Sequence, residues 1–530
     1  MKALCVLYGG RLTQEAFEEQ LPGQGGQESA FDLALKAVRR FQGVEKILFF
    51  GIQGLSYPSL PGDIEGIYRP SWNKLSFLEE LSRQSAGYEL TYLVWADCPL
   101  LDSELASTLA LRHLHFYAQY TYADGWPYGF APEILAPGVA GILAALNGDD
   151  QGPVERDLLF SVIQKDINAF DIETEISGVD LRPYRLNLAA DSKRNLLLVK
   201  RLMDEGLRRA EEAEGLIKEK GHLLRTLPAF FAIQVSSACP QSCALCPYPS
   251  HGPEPGSPAS MMDPENFARL LDKIRDFAGD GVIDLSLWGE LSLHPERLAL
   301  IQMVLDRPEL SLVIESSGIG WKNEELIGLA EAAGKAAPRL NRMAGISWIV
   351  SLDAHDQNRY KEIRGPGYAE AYSCAEQLLS LFPQSSYVQA LRVKDFEDDI
   401  EQFYRTWKDK GPPSNVRPPA SHVIIQKYDH FAGALPRLQA SDLSPVKRRP
   451  CWHLQRDMNI LIDGSLIQCR EDLGALRGSQ LSYGNVFTEE LPVLWEKGEA
   501  LYREHTGTGQ EEGNYPELCR QCDEYYTFNF

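Results

Sequence analysis

Unbroken apolar runs separated by helix-spaced amphipathic stretches set the rhythm of this chain. Lys46-Ile47-Leu48-Phe49-Phe50 and Leu90-Thr91-Tyr92-Leu93-Val94-Trp95 are apolar on both faces, as strands are when helices cover a parallel sheet on both sides. The opening Met1-Lys2-Ala3-Leu4-Cys5-Val6-Leu7-Tyr8-Gly9-Gly10 reads as a further strand entering a glycine turn. Residues 1–205 therefore predict a mostly parallel α/β domain. Leu196, Val199, Leu202, Met203 and Leu207 keep helical spacing, so a closing helix is expected from Leu196 to about Glu219, continuing as a connector over 206–227. Gly221 and Pro228 punctuate its end. The alternation then restarts over 228–445, with strands expected at 232–235, 283–287, 311–314, 346–350, 387–393 and 423–426 and helices such as 264–277 and 398–408 between them. Six such repeats fit a partial (β/α)6 barrel, whose reacting groups gather at the carboxyl ends of the strands. Gly411-Pro412-Pro413-Ser414-Asn415 reads as a loop, and 439–450 as a polar, basic linker. Residues 446–530 are left as a small α+β unit, with a hairpin turning at Asp463-Gly464.

Composition adds exclusions. At 530 residues, 44% apolar and 24% charged, the chain is of ordinary globular make-up and long enough for two or three domains. A net charge of −22 argues against nucleic acid or an anionic membrane as partner. No apolar stretch approaches the roughly 20 residues of a membrane span, and the N-terminus does not read as a signal peptide. Ten cysteines, seven in patterned groups, are too sparse for a secreted disulfide framework and suit a reducing cytoplasm. Cys5, Cys98 and Cys374 stand alone and read as small buried hydrophobes.

The patterned cysteines carry the chemistry. Cys239-Pro240-Gln241-Ser242-Cys243-Ala244-Leu245-Cys246 follows directly on the first strand of the second repeat series. Structural zinc takes four ligands, commonly in paired C-x2-C units, whereas three thiolates hold three irons of a [4Fe–4S] cube and leave the fourth open. The C-x3-C-x2-C array resembles the signature of radical S-adenosylmethionine (SAM) enzymes. The resemblance implies a [4Fe–4S] cluster on Cys239, Cys243 and Cys246, with SAM chelated at the open iron and cleaved to a 5′-deoxyadenosyl radical. Leu287-Trp288-Gly289-Glu290 is similar to the Gly-Gly-Glu motif of that superfamily, with Trp288 in place of the first glycine. It implies Gly289 and Glu290 as holders of the SAM ammonium. By the same resemblance Ser316, Ser351 and Asp353 at later strand ends meet the ribose, and Arg364, with Arg359 nearby, meets the SAM carboxylate. Leu245 stands where an aromatic residue is frequent, which leaves Tyr248 as the expected adenine neighbour.

Cys451, Cys469, Cys519 and Cys522 form a second constellation. Their C-x12-G-x4-C…C-x2-C spacing resembles the SPASM/twitch extension of radical SAM maturases and implies one auxiliary [4Fe–4S] cluster; a zinc ribbon is the alternative. A two-residue Asp463-Gly464 turn would set Cys469 opposite Met458. In the first domain, Trp95-Ala96-Asp97-Cys98-Pro99-Leu100, Val154-Glu155-Arg156 and Asp191-Ser192-Lys193-Arg194-Asn195 resemble cytidylyltransferases that activate acidic sugars. The likeness implies a nucleotidyltransferase-like, Rossmann-like fold with Mg²⁺ on Asp97 and Asp191 and a nucleotide beside it. Gln20 and Gln24 stand where that family has cations, and Arg11 keeps one.

Taken whole, the chain resembles the spiro-SPASM group of radical SAM proteins. That implies hydrogen abstraction from a peptide or protein, with a flavodoxin or ferredoxin as reductant. A scaffold holding iron–sulfur clusters, or a sugar-modifying enzyme that binds a nucleotide-sugar through residues 1–205, are the other readings. No general base is identifiable; Asp395 and Asp457 are guesses.

Overall fold

The computed structural model describes residues 1–10, 12–23, 26–55, 57–252, 258–394, 396–410, 422–441, 444, 450–477, 482–506 and 515–526. Expectations resting on Arg11, Gln24, Asp395 and the 411–415 loop lie outside the described residues. Contacts divide the chain into two units, one of residues 1–226 and one beginning at Leu227.

The first unit is a seven-stranded sheet. Its strands are β1 (Ala3–Tyr8), β2 (Val44–Ile52), β3 (Ile64–Arg69), β4 (Leu90–Trp95), β5 (Tyr120–Asp124), β6 (Glu133–Leu135) and β7 (Ile172–Ile176), in the order β3-β2-β1-β4-β6-β5-β7. β6 runs antiparallel to both its neighbours and the other pairings are parallel. Every residue of β1 and β4 is buried, which is why both read as unbroken apolar runs. The helix expected from Leu196 is Lys193–Asp204, capped by the Ser192 hydroxyl, which accepts from Asn195 N–H. It stops before Gly206, which sits at φ +96°. Residues beyond it are packed rather than extended: Ala210, Ala213, Ile217 and Leu224 belong to the same core.

The second unit is a nine-stranded sheet: β8 (Phe230–Ile233), β9 (Gly281–Asp284), β10 (Leu310–Ser316), β11 (Ile346–Ser351), β12 (Ser386–Arg392), β13 (Val423–Lys427), β14 (Asp457–Ile460), β15 (Ser465–Ile467) and β16 (Ser482–Asn485), ordered β13-β12-β11-β10-β9-β8-β14-β15-β16. The seven strands from β13 to β14 are parallel. Helices lie between them. The one at Pro264–Ala278 starts at an Asp263 cap with proline in its first turn and stops at Gly279, φ +82°. The C-terminal cysteine region does not stand apart from the barrel. Its strand β14 adds to β8 along the register Phe230↔Asp457 to Ile233↔Ile460. Met458, Ile460, Leu466, Val486, Leu491, Leu494 and Trp495 join the barrel's apolar core.

The hairpin register differs from expectation by one residue. Pairing runs Asn459↔Ile467 and Ile460↔Leu466, and Leu461 N–H donates to Ser465 O (2.9 Å). The loop is thus Ile462-Asp463-Gly464, a three-residue turn with Gly464 left-handed at φ +86°. Continued, this register sets Cys469 level with Asp457, not Met458. A slip of one residue moves every side chain to the other face.

Trp348 on β11 has no exposed surface, meets Trp321 edge-on at 5.1 Å and Phe382 at 5.9 Å, and buries an indole N–H that has no partner among the described residues. Trp348→Ala should cost about 3–5 kcal/mol in chemical denaturation. Trp348→Phe, which also deletes that N–H, should cost under about 1.5 kcal/mol; equal costs would contradict this packing.

Candidate active site

The carboxyl ends of the barrel strands surround a cavity of about 560 Å³, and all three cysteines of the 239–246 loop line it. The loop is tethered at several points. Ala244 N–H donates to Ile363 O (2.8 Å), Gln241 Nε2 to the Tyr360 hydroxyl (2.8 Å) and Arg364 Nε to Gln241 Oε1 (3.2 Å). Burial pushes Cys239 up to about 11 and Cys246 to about 12, and raises Cys243, although the Arg364 guanidinium pulls against all three. Cys239 feels the charge of Cys243, and Cys246 that of both. Cys239 is exposed and Cys243 and Cys246 are half-buried, so all three sulfurs are within reach of an incoming metal, and raised thiols need a cationic centre to displace their protons, which is the fit expected of iron.

The turn after β9 closes on that loop. Trp288 adopts φ +48°, an unfavourable angle for a bulky side chain, and Gly289 φ +103°. A Cβ on Gly289 would lie 2.0 Å from Ser236 O, so only glycine passes here. Glu290 N–H then donates to Ala238 O (2.8 Å), joining the turn to the residue before Cys239. The Glu290 carboxylate is buried. It accepts from Ser316 Oγ (2.8 Å) and Ser317 N–H (2.8 Å), and Trp321 Nε1 donates to Ser316 Oγ (3.0 Å). Burial raises its pKa, and no cation pairs with it among the described residues. An ammonium group fits such an acceptor.

The remaining expected residues divide. Ser316 orients Glu290. Asp353, left-handed at φ +58°, accepts from Leu391 N–H (2.9 Å) and from Arg364 Nη1 (2.5 Å), and so fixes that guanidinium at the cavity wall. Ser351 Oγ donates to Glu315 Oε1 (2.7 Å), as does Gln389 Nε2 (2.8 Å). Tyr248 faces Trp288 at 6.0 Å, stacked, and donates its hydroxyl to Ser237 O (2.9 Å). Arg359 bonds Glu362 on its own helix and does not line the cavity. Asp457 lines it but is no free base: burial pushes it up, yet Arg456 and His453, each 2.6 Å away, outweigh burial and hold it below the carboxylate range. Sequence reading missed Asp284, Glu315 and Gln389, which strand alternation turns inward beside Ser286, Val313 and Leu391.

The four C-terminal cysteines also come together. Trp452 N–H donates to Tyr525 O (2.9 Å), bringing Cys451 to the tail. Lys427 at the end of β13 holds Asp523 (3.1 Å) and Glu524 (3.0 Å), next to Cys522. Cys451 feels the charge of Cys519, and Cys469 that of Cys522 and Cys451. Glu471 N–H points to Cys469 Sγ (3.2 Å) and Glu524 N–H to Cys522 Sγ (3.3 Å). Backbone donors to sulfur are a lever on cluster potential.

The first unit departs from the expected metal pair. Arg156 bonds Asp97 through both terminal nitrogens (2.6 and 3.2 Å) and Asp191 through one (2.8 Å). Its guanidinium lies 4.8 Å from the ring centres of both Trp95 and Tyr128. Asn195 Nδ2 completes Asp191 (2.8 Å). The carboxylates assigned to Mg²⁺ by resemblance therefore already hold a fixed, stacked cation. Arg156 lies 59 and 35 residues from its two partners, so their spacing did not announce it.

Two outcomes follow from this geometry. Arg156→Ala strands the buried Asp97 and the half-buried Asp191 and should destabilise the first unit by about 3 kcal/mol, with millimolar Mg²⁺ restoring part of the loss in thermal melts of the variant but leaving wild type unmoved. Gly289→Ala should abolish SAM binding measured by calorimetry while iron bound at the C-terminal cysteines persists; unchanged SAM affinity would refute the close approach at Ser236.

The chain is similar to several known proteins. Residues 451–523 match the family model of SPASM, an iron–sulfur cluster-binding domain. An uncharacterized protein of Treponema pallidum is 36% identical over 379 residues, covering 70% of this chain and 98% of that one. Among solved structures, Streptococcus suis SuiB bound to the precursor peptide SuiA is similar at 13% identity and TM-score 0.40, over 64% of this chain and 76% of that one. A cytidylyltransferase from Leptospira borgpetersenii is similar at 12% identity and TM-score 0.34, over 42% and 96%. By its 36% identity over nearly the whole of the Treponema pallidum protein, the chain belongs to one family with it, and its C-terminal region carries a SPASM iron–sulfur cluster-binding domain.

Proposed function

We propose that this protein is a radical SAM enzyme that removes a hydrogen atom from a peptide or protein side chain in the barrel cavity. The observation that carries the reading is that the three-cysteine loop, the Gly289-Glu290 turn and Arg364 line one cavity at the carboxyl ends of the strands. When bound, a [4Fe–4S] cluster with SAM supplies the electron and the 5′-deoxyadenosyl radical. The chain's own residues do the rest. Cys239, Cys243 and Cys246 hold the cluster. Glu290, set by Ser316 and Ser317, receives the SAM ammonium. Arg364, fixed by Asp353, faces the SAM carboxylate. The aromatic pair Tyr248 and Trp288 lines the cavity and shields it from water.

Cys451, Cys469, Cys519 and Cys522 would hold an auxiliary cluster that relays electrons, because four thiolates leave no open iron. A peptide or protein substrate is part of the same proposal, taken by analogy from the resemblance to SPASM-type maturases. In the first unit the Asp97–Arg156–Asp191 trio supports a binding or docking role rather than nucleotidyl transfer.

Anaerobic reconstitution with iron and sulfide should load about eight irons per chain, two cubane clusters. Dithionite and SAM should then release 5′-deoxyadenosine, and Cys243→Ala should abolish that release while retaining about half the iron. Binding of zinc alone would contradict the assignment.

A further inference from the structure

The charge balance of the cavity narrows its substrate. The cations that line it are each committed to carboxylates. Arg364 is held by Asp353 (2.5 Å), Arg456 by Asp457 (2.6 Å), and Lys427 by Asp523 and Glu524 (3.1 and 3.0 Å). Arg470 faces Asp429 (3.5 Å) and Glu471 (3.4 Å). Three lining carboxylates make no ion pair among the described residues: Glu290, Asp284 and Glu315. Glu290 answers the SAM ammonium in the reading above. That leaves Asp284 and Glu315.

These two stand side by side. Asp284 ends β9, and Glu315 lies near the end of the adjacent β10, on the inward row with Val313, the register partner of Asp284. Ser286 bridges them: its N–H donates to Asp284 Oδ1 (2.9 Å), and its hydroxyl accepts from Glu315 N–H (2.7 Å). Glu315 Oε1 accepts from Ser351 and Gln389. The Ser286 side chain also bonds Asp284, and both donors to Glu315 meet the same oxygen, Oε1. Burial, with Glu315's charge behind it, pushes Asp284 up to about 7, while Arg470 exerts only an opposing pull. Arg470, whose charge reaches both carboxylates, is itself paired with Asp429 and Glu471, so a further cation would find two acidic groups side by side. A ribose diol of SAM is neutral and would leave the charge uncancelled.

We infer that Asp284 and Glu315 form a specificity pocket for a cationic substrate group, a lysine- or arginine-type side chain or another alkylammonium, set beside the carbon from which hydrogen is removed. This rests on the radical SAM reading for the reaction but not on the peptide assignment. A guanidinium or ammonium can meet both carboxylates at once and returns Asp284 to its ionised state.

The test uses the reconstituted full chain with SAM and three fluorescent pentapeptide pools identical except for a central lysine, norleucine or glutamate. The lysine pool should bind at least about tenfold tighter than the norleucine pool, the scale of one charge-assisted hydrogen bond, and the glutamate pool weakest of all. Glu315→Gln with Asp284→Asn should bring lysine and norleucine pools within about twofold, and Glu315→Lys should turn preference toward glutamate. Equal wild-type affinity for lysine and norleucine pools, or a lysine preference that survives the double substitution, would overturn the inference. Glucosamine and its neutral counterpart glucose form a separate arm. If no pool binds yet glucosamine does, and the double substitution removes that binding, the cationic pocket stands and the peptide assignment falls.

Discussion

The contact between Gly289 and the backbone at Ser236 is the constraint on which the site depends. Two strand-end turns pass so closely that a single Cβ would collide with a carbonyl oxygen. That approach lets Glu290 N–H reach Ala238 O and so locks the turn that carries the buried carboxylate to the loop that carries the cysteines. Trp288 takes an unfavourable backbone angle to make the passage. Its ring is then stacked on Tyr248 and tilted against Phe431, and this packing over-determines the strained conformation.

The parallel sheet extends the same logic. Because β14 continues the barrel on the β8 edge, the C-terminal cysteines are built on the frame that positions the first cysteine loop. Lys427 draws the tail to the end of β13, and Trp452 N–H meets Tyr525 O, so residues far apart in sequence converge on one four-thiol site. Both cysteine sets are thus fixed to one core.

Much of this was legible in the chain. The buried strands of a parallel sheet are apolar throughout, so the alternation of runs disclosed both α/β units, and the short cysteine spacing disclosed the cluster loop. What stayed hidden depends on three-dimensional register. The Asp463-Gly464 pair serves a two-residue turn or, as here, a three-residue turn with glycine last, and the choice shifts Cys469 by one position. Asp284 and Glu315 read as ordinary polar ends of strands, because which row of each strand faces the cavity is set only when the strands pair. Arg156 was visible as a residue but not as the cation that fills the space between Asp97 and Asp191.

The central claim is that the three-cysteine loop leaves an iron open to SAM. The most direct test is electron paramagnetic resonance of the dithionite-reduced protein in which Cys451, Cys469, Cys519 and Cys522 are all replaced by alanine, so that only the cluster at the 239–246 loop contributes. Addition of SAM should change the g-values of that signal, and ¹⁷O-labelled SAM carboxylate should broaden it. A spectrum indifferent to SAM would contradict the account.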